Sequence, residues 1–562
     1  MPLPVRARVL KYLQRARVLS PTRAEALLAL FSAALLILSF PDLNLWPLAW
    51  VGLVPLLLAV AQRQQPGISF VLGWITGSLF FYGSCYWLTY AMIRYGHIPA
   101  VISYLMLMPG ALIVGLFPAA CMGLLARMLR RWGLRALFVA PFLWAALEWA
   151  RLGATGQLWN AIGYSHAYHP ALIQTARWGG VYAVGFLVLS VNAAIAHLLL
   201  RKNMRALLTA VIMLGLVAGT TWWLAASTLA FTERLSVPDA VVIAVQPNVP
   251  MEPVESTAET QTLLQRHLSL SESGLKQWEQ AGTNDDRADT SPRGNTNSLS
   301  GSQTEMEAKR LSAPRIVIWP ESPMNFSYSR DSVFREWLAG FAAKNHASVI
   351  FNALEPAPFN GAYNSAVMVN EEGRAVSQYD KIRLLPFGEY VPLPRWLPGV
   401  NLVPTMVGDF TPGAQYTLMP MGDARAGVFI CFESAFPSIA RAFTRGGADV
   451  LVNITNDGYL GPTPVMHQHM ANTIFRAVEN NRPVLRVTNT GITAYINARG
   501  EVSDETHGFE PAVRVWTIQR AGPGQTFYTR HGDLFAGLCA FISILTIGLA
   551  SLKSKTRGLR SA

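Results

Sequence analysis

The chain has 562 residues, of which 51% are apolar and only 14% charged, with a net charge of +12 and a mean hydropathy of +0.26. This length leaves room for more than one domain, and the composition excludes an ordinary soluble globular protein. The apolar residues gather in the first 230 positions and near the C-terminus, so the basic excess follows from topology and is no sign of nucleic-acid binding.

Hydropathy predicts seven apolar segments, at 25–41, 43–61, 68–92, 98–126, 136–150, 180–200 and 206–226, and an eighth at 533–552. Most approach the ~20 residues a helix needs to cross a hydrocarbon core, and eight of them exclude a lone cleaved signal peptide. Segment 136–150 is short, and Glu148 near its end is costly in lipid, so it is expected to face protein or water. Phe80, Phe81, Trp87, Trp159 and the Trp222-Trp223 pair read as interfacial belts.

The basic residues set an orientation. With the N-terminus in the cytoplasm, the inner segments hold Arg6, Arg8, Lys11, Arg15, Arg17 and Arg23, then Arg63, then Arg127, Arg130, Arg131 and Arg135. They also hold Arg201, Lys202 and Arg205, and finally Lys553, Lys555, Arg557 and Arg560, whereas the short outer connections offer only Arg94, Arg151 and Arg177. The expected division is a basic cytoplasmic N-terminus (1–24), a seven-helix bundle (25–226), an outward domain (227–532), an eighth crossing (533–552) and a cytoplasmic tail (553–562).

Within the outward domain, Asp239 to Asn248 reads as a buried strand closed by Pro and Asn, and Glu259 to Gln280 as a helix. Residues 282–312, rich in Thr, Asn, Ser, Gly and charge, have little to bury and read as a disordered insertion. Next come the strand Arg315-Ile-Val-Ile-Trp-Pro-Glu321, a helix at 331–345, strands at 348–352 and 363–369, a turn at 371–374, and the stretch from Ala375 to Lys381. The apolar run from Ala426 ends in Cys431 and leads into a helix with Pro437 in its first turn. A strand at 448–457, a helix at 466–479 and strands at 483–489 and 493–497 complete an alternation that argues for an α/β layered fold.

Three of the four cysteines, Cys85, Cys121 and Cys539, fall in apolar segments, leaving Cys431 alone in the outward domain. An unpaired cysteine in an oxidising compartment is a candidate reactive thiol. Glu321, Lys381 and Cys431 each stand at or just past a strand end. Each has a plain structural reading: a cap, a solvated turn lysine, a small core residue. Together they supply a base, a cation for an oxyanion and a nucleophile, the needs of thiol acyl chemistry. His467 and His469 lack a carboxylate at a ligand spacing, so a surface or capping pair is expected there and no metal.

The contexts Trp319-Pro-Glu321, Tyr379-Asp-Lys381 and Cys431-Phe-Glu433 resemble the nitrilase (carbon–nitrogen hydrolase) superfamily. The membrane segments, Pro386-Phe-Gly-Glu-Tyr-Val-Pro-Leu393, Thr455-Asn-Asp457 and Asn480-Asn-Arg-Pro483 narrow the resemblance to the bacterial apolipoprotein N-acyltransferase family, over nearly the whole chain apart from 282–312. The resemblance implies a polytopic bundle of about eight helices in the inner membrane, both termini cytoplasmic, carrying an αββα sandwich on the periplasmic side. It implies Glu321 as general base, Lys381 as oxyanion stabiliser and Cys431 as nucleophile, with Glu389 orienting Lys381 or the base and Glu433 supporting the site. The implied acyl donor is a membrane phospholipid, typically phosphatidylethanolamine, and the acceptor is the N-terminal diacylglyceryl-cysteine of an apolipoprotein, with no metal, nucleotide or other cofactor. Phe432 stands where the family usually has tyrosine, no tryptophan occurs in 248–256, and Tyr459 stands where tryptophan is common. These departures touch substrate recognition and leave two alternatives open: a membrane-anchored thiol amidase, or a weakly catalytic lipid- or lipoprotein-binding paralogue.

Overall fold

The first helix begins where its sequence says it must. Thr22 and Glu25 form a reciprocal capping box, the Thr22 N–H donating to Glu25 Oε2 at 2.7 Å and the Glu25 N–H to Thr22 Oγ1 at 3.3 Å. In this computed structural model, residues 20–41, 43–229, 238–251, 257–288, 312–391, 408–522 and 524–558 are described. They fall into two units, one of Met1–Leu229 with His531–Ala562, the other of Ala230–Arg530.

The first unit is helical. It contains α1 (Arg23–Ser39), α2 (Val54–Arg63), α3 (Pro66–Ser84), α4 (Leu88–Arg94), α5 (Ala100–Trp132), α6 (Ala140–Thr155), α7 (Pro170–Ile173), α8 (Ala176–Arg201) and α9 (Met204–Leu229), and the C-terminal helix Leu534–Gly558 belongs to it too. Against the eight crossings expected, six stretches among the described residues are long and apolar enough to cross a membrane: Trp46–Arg63, Pro66–Ser84, Ala100–Thr155, Ala176–Arg201, Met204–Ser227 and Leu534–Leu552. Two details make the difference. The 17 residues of α1 reach roughly 26 Å at ~1.5 Å per residue, short of a ~30 Å core. Segments 98–126 and 136–150 join through the 3-10 turn Gly133–Val139 into one stretch of 56 residues.

Small residues let the helices meet. A Cβ on Gly73 of α3 would sit 2.6 Å from the Pro118 carbonyl oxygen of α5, the close approach that apolar bundles build on glycine. Glu148 is buried as expected, accepting the Ile162 N–H at 2.9 Å. Of the aromatic residues expected in belts, Trp222 and Trp223 are exposed, but Phe80, Phe81, Trp87 and Trp159 are buried, with the Trp87 and Trp159 rings 5.4 Å apart.

The second unit holds twelve strands in two six-stranded sheets among the described residues. These are β1 (Ala240–Gln246), β2 (Arg315–Ile318), β3 (Ala347–Ala357), β4 (Gly361–Val369), β5 (Ala375–Asp380), β6 (Leu418–Met421), β7 (Ala424–Ile430), β8 (Val450–Thr455), β9 (Val484–Thr488), β10 (Ala494–Ile496), β11 (Val502–Ser503) and β12 (Ala512–Ile518). The orders are β12-β1-β2-β3-β4-β5 and β11-β10-β9-β8-β7-β6. In each sheet three adjacent strands are parallel, β1-β2-β3 and β7-β8-β9, and antiparallel neighbours flank them. The sheets face each other where β1 meets β9 and β4 meets β7. Helices α10 (Thr257–Ala288) and α11 (Ser332–Asn345) cover the first sheet, and α12 (Pro437–Arg445) and α13 (Val465–Asn480) the second, giving an αββα sandwich.

Strands pressed on both faces read as unbroken apolar runs, and all seven residues of β1 are buried. The outer core of the first sheet joins Val241, Ile243, Val317, Trp319 and Phe351 to Leu275 and Trp278 of α10 and to Phe334 and Leu338 of α11. Helix α10 runs to Ala288, beyond the expected start of the insertion at 282. The rest of that segment, 289–311, lies outside the described residues, as do 1–19, 252–256 and 559–562.

Candidate active site

Glu321, Lys381 and Cys431 each come just past the end of a strand. Pro320 ends the extension of β2, and Glu321 comes next. Lys381 directly follows β5, and Cys431 directly follows β7. Cys431 adopts φ +52°, a left-handed conformation that a side chain with a Cβ disfavours. The turn is held there by its neighbours. Glu433 closes back on the strand end, accepting the Ile430 N–H at 2.8 Å, and the Cys431 carbonyl accepts from Asn453 Nδ2 at 3.4 Å.

The structure brings Glu321, Lys381 and Glu389 together. Lys381 is 1% exposed; its Nζ lies 3.5 Å from Glu321 Oε1 and donates to Glu389 Oε1 at 2.9 Å. Glu389 Oε2 in turn accepts the Leu385 N–H at 2.7 Å. Burial works against the lysine's charge, but the Glu321 carboxylate and then that of Glu389 outweigh it and hold its pKa above the ordinary range. The Cys431 thiol is pushed up by burial and then by the Glu321 charge, with Lys381 offsetting only part of this. Burial thus favours the neutral thiol of Cys431 over its thiolate.

Glu433 is fully buried and accepts from the Tyr379 hydroxyl at 2.8 Å, the Ile382 and Arg383 N–H groups at 2.8 and 3.0 Å, and Ile430. It thus ties the loop after Lys381 to the strand before Cys431. Burial raises its pKa, and the backbone donors counter this only in part. Phe432 is half-buried and stands edge-on to Phe436, ring centroids 5.4 Å apart.

One participant was missed. Asn364 on β4 donates through Nδ2 to both carboxylates, Glu321 Oε1 at 2.9 Å and Glu389 Oε1 at 2.7 Å, while its side-chain oxygen accepts from Asn352 at 2.7 Å. The signal was an asparagine inside a largely apolar strand, where an unpartnered amide is costly. The expected surface or capping role also fails for His469, which is 3% exposed and joined to Asp457 and to Cys431. Among the described residues no cluster of three metal-ligating side chains occurs.

Residues 32–194 match the apolipoprotein N-acyltransferase N-terminal domain, and residues 243–527 match the carbon–nitrogen hydrolase family. The apolipoprotein N-acyltransferase of Geobacter metallireducens is 33% identical over 541 residues, 94% of this chain and 95% of that protein. That of Chlorobaculum tepidum is 28% identical over 564 residues, 94% of this chain and 97% of that protein. Among solved structures, an amidase from Nesterenkonia sp. is 17% identical, with a TM-score of 0.35 over 54% of this chain and 98% of the amidase.

Proposed function

The chain belongs to the apolipoprotein N-acyltransferases, a membrane-integrated family with a carbon–nitrogen hydrolase domain, and on that premise we propose a ping-pong acyl transfer centred on Cys431. The donor is a membrane phospholipid, phosphatidylethanolamine foremost. The acceptor is the α-amine of a lipoprotein's diacylglyceryl-modified N-terminal cysteine.

In the first half, Glu321 takes the Cys431 thiol proton and the thiolate attacks the ester carbonyl carbon. The oxyanion is met by the Lys381 ammonium, the ester C–O bond breaks, and Glu321 returns its proton to the leaving lysophospholipid oxygen. In the second half, the lipoprotein amine attacks the thioester carbonyl and passes a proton to Glu321. The C–S bond then breaks and the departing thiolate takes that proton back, leaving an amide and restoring the thiol. Glu389 and Asn364 keep Lys381 and Glu321 in register, and Glu433 holds the Lys381 loop to the Cys431 turn.

The observation that carries this reading is the buried Lys381, clamped between Glu321 at 3.5 Å and Glu389 at 2.9 Å, with its charge acting on a thiol in a left-handed turn. A thiol held up by burial calls for the base that Glu321 offers, and a lysine held above its ordinary range stays cationic throughout the cycle.

The membrane placement follows from the basic residues. Positions 1–24 and 553–562 face the cytoplasm, 25–226 and 533–552 cross the inner membrane, and 227–532 lie in the periplasm. An acyl-transfer site served from the bilayer spares both substrates the desolvation of their tails. Intact-protein mass spectrometry tests the reading: incubation with phosphatidylethanolamine should add a hydroxylamine-labile acyl group to the wild type and none to Cys431→Ala, and a diacylated lipopeptide should discharge it. A wild type that acquires no adduct refutes it.

A further inference from the structure

His469, which the chemistry above leaves unused, sits on α13 with both ring nitrogens engaged. Nδ1 lies 2.7 Å from Asp457 Oδ1, and Nε2 lies 3.0 Å from the Cys431 carbonyl oxygen. A carboxylate and a carbonyl both accept and neither donates. Nε2 must therefore carry a hydrogen for its contact to be attractive, and it donates to the Cys431 carbonyl.

Its surroundings hold that orientation. Asp457 is 2% exposed and bonds through its second oxygen to Arg486 at 2.7 Å. Arg486 is fully buried and anchors to Asn453 Oδ1 at 2.9 Å, and the Asn453 amide nitrogen reaches the same Cys431 carbonyl that His469 does. The charged groups that meet His469 are thus Asp457 from the turn after β8 and Arg486 from β9, whose Nη2 is 3.3 Å from Nδ1, while Cys431 offers its neutral carbonyl. From the neighbouring helix α12, Arg441 lies over the Tyr528 ring instead, and Glu433 is committed to Tyr379 and three backbone N–H groups.

A trans peptide points its C=O and its N–H in opposite directions. Whatever grips the Cys431 carbonyl therefore also aims the Phe432 N–H, to the side away from α13. Backbone N–H groups just after a nucleophile are the donors that a developing oxyanion uses, and their value depends on being fixed beforehand. Cys431 is also the residue at φ +52°, a conformation that persists only where the surroundings over-determine it.

We propose that His469 is a positioning residue: held by Asp457 and Arg486, it donates from Nε2 to the Cys431 carbonyl and so orients the Cys431–Phe432 peptide for oxyanion stabilisation. This rests on the thioester reading, and the test separates the two. Alkylation of Cys431 by iodoacetamide needs the thiolate but no oxyanion donor, whereas acylation by phosphatidylethanolamine needs both. In detergent-purified full-length His469→Ala, acylation should fall about 100-fold, the loss of one oxyanion donor, while alkylation stays within about threefold of wild type. His469→Gln, which keeps one N–H to offer the carbonyl, should recover part of the acylation rate. Acylation unchanged in His469→Ala, or both reactions lost in parallel in both variants, overturns the proposal. A wild type that is alkylated but never acylated overturns the thioester reading instead.

Discussion

Replacing Asn364 with leucine keeps a branched side chain of four heavy atoms and removes an amide that donates to both candidate-site carboxylates. Two hydrogen bonds to charged acceptors are lost, at 2.9 and 2.7 Å, each worth about 1.5–3 kcal/mol. The losses do not fall equally. Glu389 keeps Lys381 Nζ at 2.9 Å and the Leu385 N–H at 2.7 Å. Among the described residues, Glu321 keeps only its 3.5 Å pairing with Lys381. The functional cost is therefore roughly one bond's worth, placed on the proposed base, and at ~1.4 kcal/mol per decade it amounts to about a 10- to 140-fold loss in acylation rate. Rapid-quench mass spectrometry of acyl-enzyme formation over a series of phosphatidylethanolamine concentrations separates rate from affinity. The expected result is a lower maximal rate, with half-saturation moved less than about threefold. A maximal rate within about threefold of wild type, or a change confined to half-saturation, refutes the argument.

Glu433→Gln turns an amide N–H₂ toward a pocket built of donors, so at least one backbone N–H loses its acceptor; about 2–4 kcal/mol of domain stability should go with it, read as a melting temperature lower by roughly 5–15 °C. Burial alone would raise the Asp457 pKa, but Arg486 and His469 outweigh it and hold it below 3.8. Such a depressed carboxyl stabilises the fold above pH 3.8 and loses that contribution as pH falls through its folded value. Wild-type thermal stability should accordingly drop more steeply below about pH 4 than that of Asp457→Asn, and parallel curves would contradict this. Gly73→Val places a side chain against the Pro118 carbonyl at 2.6 Å, whereas a Cβ at Gly153 meets nothing within 4 Å. The first substitution should abolish monodisperse protein in detergent, and Gly153→Ala should not.

The helical segments were legible because their signal is local. Hydropathy located most of their ends to within a few residues, though 68–92 overran the end of α3 at Ser84 and 98–126 stopped short of Trp132, and other exceptions have local causes that hydropathy does not weigh. The 43–61 segment is broken into a 3-10 turn, Trp46–Trp50, and α2, with Pro47 and Pro55 at the starts of those two turns. Gly179 and Gly180 leave helical geometry inside α8, Gly180 at φ +64°. The β1, β7, β8 and β9 strands were equally plain, because strands covered on both faces have little choice but to be apolar.

What the sequence by itself determined was the list of parts: apolar helices, an alternating α/β domain, and a carboxylate, a lysine and a solitary cysteine each placed where a strand stops. Those features depend on side-chain period, caps and turns within a few residues. The tertiary structure alone decided which parts meet. Asn364 bridges to Glu321 across 43 positions and to Glu389 across 25, Glu433 reaches Tyr379 across 54, and His469 reaches the Cys431 carbonyl across 38. No periodicity carries such pairings, because they follow from the strand order of two sheets and from how those sheets stack, and a buried polar group reveals its partner only once both are out of water.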